Sequence, residues 1–149
     1  MTQSPNTETP HNGCVLCAPL YLATGRINCW QCKRDTSVVA IIATRVDEYE
    51  DGVLAQGDGE EYVHSMDEDE MPEPLRLALE PVAPDYKPIF SGTMQETTWA
   101  NGCENCGALQ GAFYQHMEPD GPFFGDPSDF AGTKVVLTDK NIGIDYDAS

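Results

Sequence analysis

The chain has 149 residues, the size of one compact domain. Acidic residues outnumber Lys and Arg 25 to 8, a formal charge of −17, so nucleic acid and anionic membrane surfaces are repelled. The longest apolar run, Val38-Val39-Ala40-Ile41-Ile42-Ala43, is far short of the ~18 residues of a membrane span.

In chain order, residues 1–13 are rich in Ser, Thr, Asn, Pro and Gly and hold almost nothing to bury, which predicts a disordered arm. The first ten carry no positive charge and no apolar stretch, unlike a secretory leader, so the expectation is a soluble cytoplasmic protein. The domain is expected over 14–140, with regular order beginning near Pro19-Leu20-Tyr21. From Thr36 to Val46 the β-branched residues make the strongest strand signal, a central strand. Residues 47–73 follow with twelve acids and no Lys or Arg, and read as a long acidic insertion containing one short strand, Tyr62-Val63-His64. Between Pro72 and Pro81 a short helix is predicted, bounded by prolines. Strands are expected at Ile89-Phe90, within Thr93–Trp99, from Leu109 to His116 and at Lys134–Leu137. The turn Glu118–Phe124 should return Phe123 and Phe124 to the core, and 141–149 reads as a tail. The fold class is therefore mostly β, α+β with little helix.

All six cysteines, at 14, 17, 29, 32, 103 and 106, fall in Cys-x-x-Cys pairs. In a reducing compartment such pairs point to metal ligation or redox chemistry before structural disulfides. Two thiolates separated by two residues can both face one tetrahedral Zn²⁺ at ~2.3 Å. Gly107, just after the second knuckle, suits the turn because glycine accepts positive φ; Lys33, in the same place after the first, is the poorer fit. Two distant knuckles closing on one ion make a zinc-ribbon-like domain with Cys29, Cys32, Cys103 and Cys106 as ligands. The spacing also allows Cys14, Cys17, Cys29 and Cys32 to close around an ion. A second ion would need His11, His64, His116 or a carboxylate, and His11 is nearest to Cys14 in sequence. Otherwise Cys14 and Cys17 are a free thiol pair.

Catalytic patterns are absent from the sequence. The three histidines are scattered, no glycine-rich phosphate loop occurs, and a calcium loop begun at Asp47 fails in register because Tyr49 takes its third position. A non-enzyme is expected. The stretches Ala18–Cys32, Val38-Val39-Ala40, Asn101–Gly111 and Glu118–Phe124 resemble a group of small, poorly characterised bacterial proteins. These carry a Cys-Trp-x-Cys and a later Cys-x-x-Cys-Gly. The resemblance implies a zinc-ribbon-like fold that pairs Cys29/Cys32 with Cys103/Cys106, and implies no activity.

The acidic middle suggests a surface for a basic protein, such as the nuclease or deaminase toxin that an immunity protein would neutralise. Contact residues expected there are Asp47, Glu48, Glu50, Asp51, Glu60, Glu61, Asp67, Glu68, Asp69 and Glu70, with Tyr49 and Tyr62 as aromatic anchors. The competing expectation is a redox or metal-handling protein that uses Cys14 and Cys17 as an exposed dithiol.

Overall fold

The computed structural model describes residues 10–63, 66, 70–92, 95–111, 115, 121–125, 127 and 133–145. In chain order the strands are β1 (Gly13–Asn28), β2 (Asp35–Glu50), β3 (Val53–Asp58) and β4 (Glu61–Val63). Then come helix α1 (Glu73–Leu79), β5 (Tyr86–Ser91), β6 (Glu96–Gly102), β7 (Leu109–Gln110), β8 (Thr133–Thr138) and β9 (Ile142–Asp145). The protein is mostly β, with antiparallel pairing throughout and this one short helix among the described residues.

β1 and β2 are a long hairpin at the centre of a six-stranded sheet ordered β3-β2-β1-β8. β3 and β4 lie in succession along the outer edge of β2, and β8 and β9 along the outer edge of β1. Both faces of the hairpin are covered, which is why its middle reads as a nearly continuous apolar run rather than an alternation. Leu20, Leu22, Ile41 and Ala43 face the larger core with Leu75 and Leu79 of α1 and Trp99 of β6. Ala23, Val38, Ala40 and Ile42 face a smaller one with Tyr62 and Phe123. Pro72 and Pro74 start α1 where N–H groups have no partner to lose, and burial of Leu75 and Leu79 stabilises it by ~1.5–3 kcal/mol each.

A second, three-stranded sheet is ordered β5-β6-β7. It is joined to the first through side chains. Beyond β4, among the described residues, no strand pairs the edge of β2 over residues 35–39, and groups from β6 and the loop after it take a strand's place. Asn101 Oδ1 accepts the Val39 N–H at 2.9 Å while its Nδ2 donates to the Val39 carbonyl at 2.9 Å and to Gln115 Oε1 at 3.1 Å. The Asn101 amide thus imitates one residue of a pairing strand. Glu104 Oε1 accepts from the Ser37 N–H at 2.7 Å, and the Glu104 N–H donates to Thr36 Oγ1 at 3.0 Å. The sheet edge is covered without a strand.

Several expectations change. Regular structure starts at Gly13 rather than near Pro19, and Pro10 is buried, because β1 is needed to its first residue to pair with β2 and β9. A Cβ on Gly13 would lie 1.9 Å from the Ile144 carbonyl oxygen, so only glycine fits this approach. The expected tail contains β9, whose Ile142 and Ile144 are core residues. The acidic stretch is no insertion outside the fold, since Asp47–Glu50, β3 and β4 are integral to the main sheet. The strand expected from Leu109 to His116 is only two residues long, with Gln115 in helical conformation. Phe123 is fully buried but Phe124 is half exposed, as one tight turn cannot aim both rings inward. His64, Thr93, Met94 and His116 lie outside the described residues.

Candidate metal centre

The first knuckle is the loop of the β1–β2 hairpin and the second follows β6, so the long hairpin and the small sheet each deliver two sulfurs to one place. Cys29, Cys32, Cys103 and Cys106 Sγ atoms all lie within 4.8 Å of one another. The cross-knuckle separations are 3.6 Å for Cys29–Cys106 and 3.7 Å for Cys32–Cys103. A tetrahedron of sulfurs bonded at ~2.3 Å to a central metal has edges of about 3.8 Å, so these four residues can hold a metal ion.

The two knuckles repeat one design. In the first, the Lys33 N–H bonds the Cys29 carbonyl at 3.0 Å, and the Gln31 and Cys32 N–H groups point at Cys29 Sγ at 3.3 and 3.5 Å. In the second, the Gly107 N–H bonds the Cys103 carbonyl at 2.8 Å and the Asn105 N–H points at Cys103 Sγ at 3.3 Å. The residue closing each turn is left-handed, Lys33 at φ 66° and Gly107 at φ 80°. Lys33, the poorer sequence fit, therefore adopts the conformation anyway, and its Nζ donates to the Trp30 carbonyl at 2.6 Å. No atom would crowd a Cβ on Gly107, so Gly107→Ala isolates the left-handed backbone cost; the expected loss is ~1 kcal/mol in urea denaturation of the metal-loaded protein. An unchanged midpoint would show that the turn relaxes freely.

Residues not foreseen from spacing hold the knuckles together. Trp30 Nε1 donates to the Leu109 carbonyl at 2.7 Å, tying the first knuckle to the strand after the second. Gln110, buried, donates to Cys29 Sγ at 3.3 Å and to the Ala108 carbonyl at 2.8 Å, and Gln115 Nε2 donates to the Gln110 carbonyl at 3.2 Å. Asn105 Nδ2 donates to the Asp35 carbonyl at 3.0 Å, while Arg26 pairs with Asp35 and approaches Glu104 at 3.7 Å. The only signal of this in the sequence is a concentration of amides, Asn101, Asn105 and Gln110, around the second knuckle.

The sulfur environment favours thiolates at the buried side. Burial raises the Cys29 thiol, but the N–H groups of Cys32 and Gln31 and the Gln110 amide outweigh it, bringing it from its ordinary value down to about 6. Cys103 is lowered likewise, with burial opposed by the N–H groups of Cys106 and Asn105. At Cys106 the Ala108 N–H lowers the thiol, but burial and the neighbouring sulfurs raise it to about 11. A metal ion relieves this crowding by replacing the shared protons.

Cys14, Cys17 and His11 are not brought to this centre, and among the described residues the four-cysteine group alone qualifies as a cluster able to hold a metal ion. Cys14 and Cys17 lie in a regular stretch of β1 opposite Glu48 and Arg45, so an odd spacing places them on opposite faces. Cys14 is buried in the larger core, and Cys17 Sγ lies 3.5 Å from Asp47 Oδ2. Burial, then Asp47, raises the Cys17 thiol, the reverse of what an exposed reactive dithiol needs. His11 is exposed, 3.5 Å from Asp51.

Of the expected acidic contacts, Glu50, Asp51 and Glu70 are exposed and Glu48, Glu60 and Glu61 half-buried, with Tyr49 half-buried beside them. Asp67, Glu68 and Asp69 lie outside the described residues. Two expectations are corrected. Tyr62 is buried against Phe123, ring centroids 6.0 Å apart, because β4 aims it into the smaller core. Asp47 is buried and engaged by Arg45 through two 2.8 Å hydrogen bonds. The Arg45 hydrogen bonds hold the Asp47 carboxyl below the usual range. A depressed carboxylate adds stability above its unfolded pKa and loses it as pH falls through the folded value. Asp47→Asn should therefore cost ~1.5–3 kcal/mol at neutral pH and flatten the acid limb of a stability–pH profile; parallel wild-type and variant profiles would disprove this role.

Comparison with protein-family models, curated proteins and solved structures found no match for this chain.

Proposed function

We propose that this chain is a zinc-stabilised acidic binding protein that neutralises a basic protein partner, its concrete form being an immunity protein against a bacterial nuclease or deaminase toxin. The observation that carries the reading is the separation of its two chemical features along one hairpin. The four-sulfur cluster adjoins the start of β2, and Glu48, Glu50 and Asp51 lie near or just beyond the far end of that 16-residue strand, roughly 40–50 Å along it at about 3.3 Å per residue. Four thiolates fill a tetrahedral zinc, leaving no position for substrate or water, so the metal serves the fold and the acidic end is left for binding. A charge of −17 supplies long-range attraction to a basic surface and speeds encounter. The arrangement supports a non-enzymatic role.

The test is affinity capture from the native host combined with elemental analysis of the same sample. About one zinc per chain and a stoichiometric basic protein are expected, with capture weakened by salt and by Glu50→Lys with Glu60→Lys. Zinc without a basic partner, or a partner indifferent to these reversals, would refute the neutralising role.

A further inference from the structure

The four sulfurs of the metal centre differ in how far solvent reaches them. Cys29 and Cys103, the first cysteine of each knuckle, are 1% and 2% exposed. Cys32 is half-buried and Cys106 is exposed. The two buried sulfurs are also engaged by their own turns: the Gln31 and Cys32 N–H groups point at Cys29 Sγ and the Asn105 N–H at Cys103 Sγ. Gln110 Nε2 donates to Cys29 Sγ as well. A small solute entering from water therefore meets the centre at Cys106. Behind Cys106 Sγ, 3.6 Å away, lies Cys29 Sγ of the other knuckle, and Cys32 and Cys103 make the second cross-knuckle contact at 3.7 Å.

Cysteines that hold a metal do so as thiolates, and the thiolate is the form of sulfur that attacks a peroxide. A reachable thiolate with a second sulfur close behind it is the arrangement in which a sulfenic acid is trapped as a disulfide. We propose that Cys106 is the oxidation site of this centre, taking an oxygen from a hydroperoxide, and that Cys29 resolves it as a disulfide across the two knuckles. Cys106 Sγ attacks one peroxide oxygen, the O–O bond breaks, and the departing oxygen takes a proton and leaves as water, or as an alcohol from an organic hydroperoxide. Cys106 is then a sulfenic acid, oxidised by two electrons while the hydroperoxide is reduced. Cys29 Sγ next attacks Cys106 Sγ, the S–O bond breaks, and the hydroxide takes a second proton to leave as water. Two ligands joined in this way no longer serve an ion, so the site gives up its metal. The new bond ties the same two parts that the four sulfurs join, the β1–β2 hairpin and the loop after β6. Closing so long a loop restricts the unfolded chain, so the oxidised protein keeps part of the stability lost with the metal.

The proposal needs a metal on the four sulfurs and no partner. The full-length, metal-loaded protein is treated with hydrogen peroxide, with metal release followed by a chromogenic chelator and the cysteines mapped by non-reducing peptide mass spectrometry. Release should run in step with a Cys29–Cys106 cross-link while Cys14 and Cys17 stay reduced, and dimedone added in a parallel sample should label Cys106. Cys106→His keeps four possible ligands but removes the exposed sulfur, and should slow release at least ~10-fold. If that variant takes up no metal, the dimedone and cross-link maps of the unaltered protein decide alone. The cross-linked, metal-free protein should melt above the reduced, metal-free protein. First labelling at any other cysteine, a bridge within one knuckle, or undiminished release from Cys106→His overturns the proposal. So does a Cys106 adduct with no Cys29–Cys106 bridge when dimedone is left out, or a cross-linked protein that melts no higher than the reduced one. Metal content measured before the oxidant separates two failures. A chain holding no metal fails the metal reading and this proposal together, whereas a loaded chain oxidised elsewhere fails this proposal alone.

Discussion

Removing the metal from the four-cysteine cluster is expected to lower the Tm by roughly 10–20 °C. Structural zinc binds finger peptides with an apparent ~10–16 kcal/mol, but that figure includes folding of a peptide with no other core. Here the hairpin β1–β2 is buried on both faces without help from the cluster, so only part of the binding energy should appear as lost stability. A loss of ~5 kcal/mol, at about 2–4 °C per kcal/mol for a domain of this size, sets the expected shift. Melting should be followed with and without chelator, with metal content measured on both samples. Hydrogen exchange should accelerate at the Cys29, Lys33, Cys103 and Gly107 amides, while those of Ile41 and Ala43 in the central strand remain protected. A metal-free protein that keeps its Tm would show the sulfur cluster to be idle. Metal affinity should fall with acidification, because each thiol must lose its proton to bind; Cys106, raised to about 11, releases a proton at neutral pH, whereas Cys29, lowered to about 6, is already ionised.

The second large effect is expected at Asn101. Asn101→Ala removes both hydrogen bonds to Val39 and the bond to Gln115, stranding the fully buried Gln115 oxygen and the unpaired edge of β2. At ~1–3 kcal/mol for each buried group left without a partner, a total of ~3–5 kcal/mol is expected from urea denaturation of the metal-loaded protein. Asn101→Asp separates the two functions of the amide: it still accepts from the Val39 N–H but cannot donate to the Val39 carbonyl. At neutral pH it should be nearly as damaging as alanine, and it should recover partly in acid as the carboxyl regains a proton to donate. If both variants lose under 1 kcal/mol, the two sheets are held by the metal and by Trp99 packing rather than by this amide.

These two effects divide what was readable in the chain from what was not. The mostly β class followed from local pattern: β-branched residues from Thr36 to Val46 favour an extended chain, and β2 is the central strand. The short helix between prolines was legible for the same reason, since proline constrains its own backbone and its neighbour's. The Cys-x-x-Cys spacing was legible because it is a local turn geometry, and it pointed to the four sulfurs that the fold gathers.

Pairing partners, by contrast, are properties of the whole folded chain. The sequence of Ile142–Asp145 contains too few apolar residues to announce a strand, and it is one because β1 has an edge there to fill. Acidic composition marked 47–73 as an insertion, yet strands present alternate residues to opposite faces. The same stretch therefore buries Asp47, which the exposed Arg45 engages, and Tyr62 against Phe123 while leaving Glu50 exposed. Cys14 and Cys17 share the spacing of the other pairs, but an extended backbone turns their sulfurs apart where a tight turn would bring them together. Asn101, Gln110 and Gln115 had no local signature, because an amide buried at a sheet junction is needed only once another strand's backbone has been left without a partner. Local pattern set which segments extend and which turns can hold a metal. Which edges meet, and which polar groups close them, was set by packing in three dimensions, because hydrogen-bond partners distant in sequence leave no trace in local propensity.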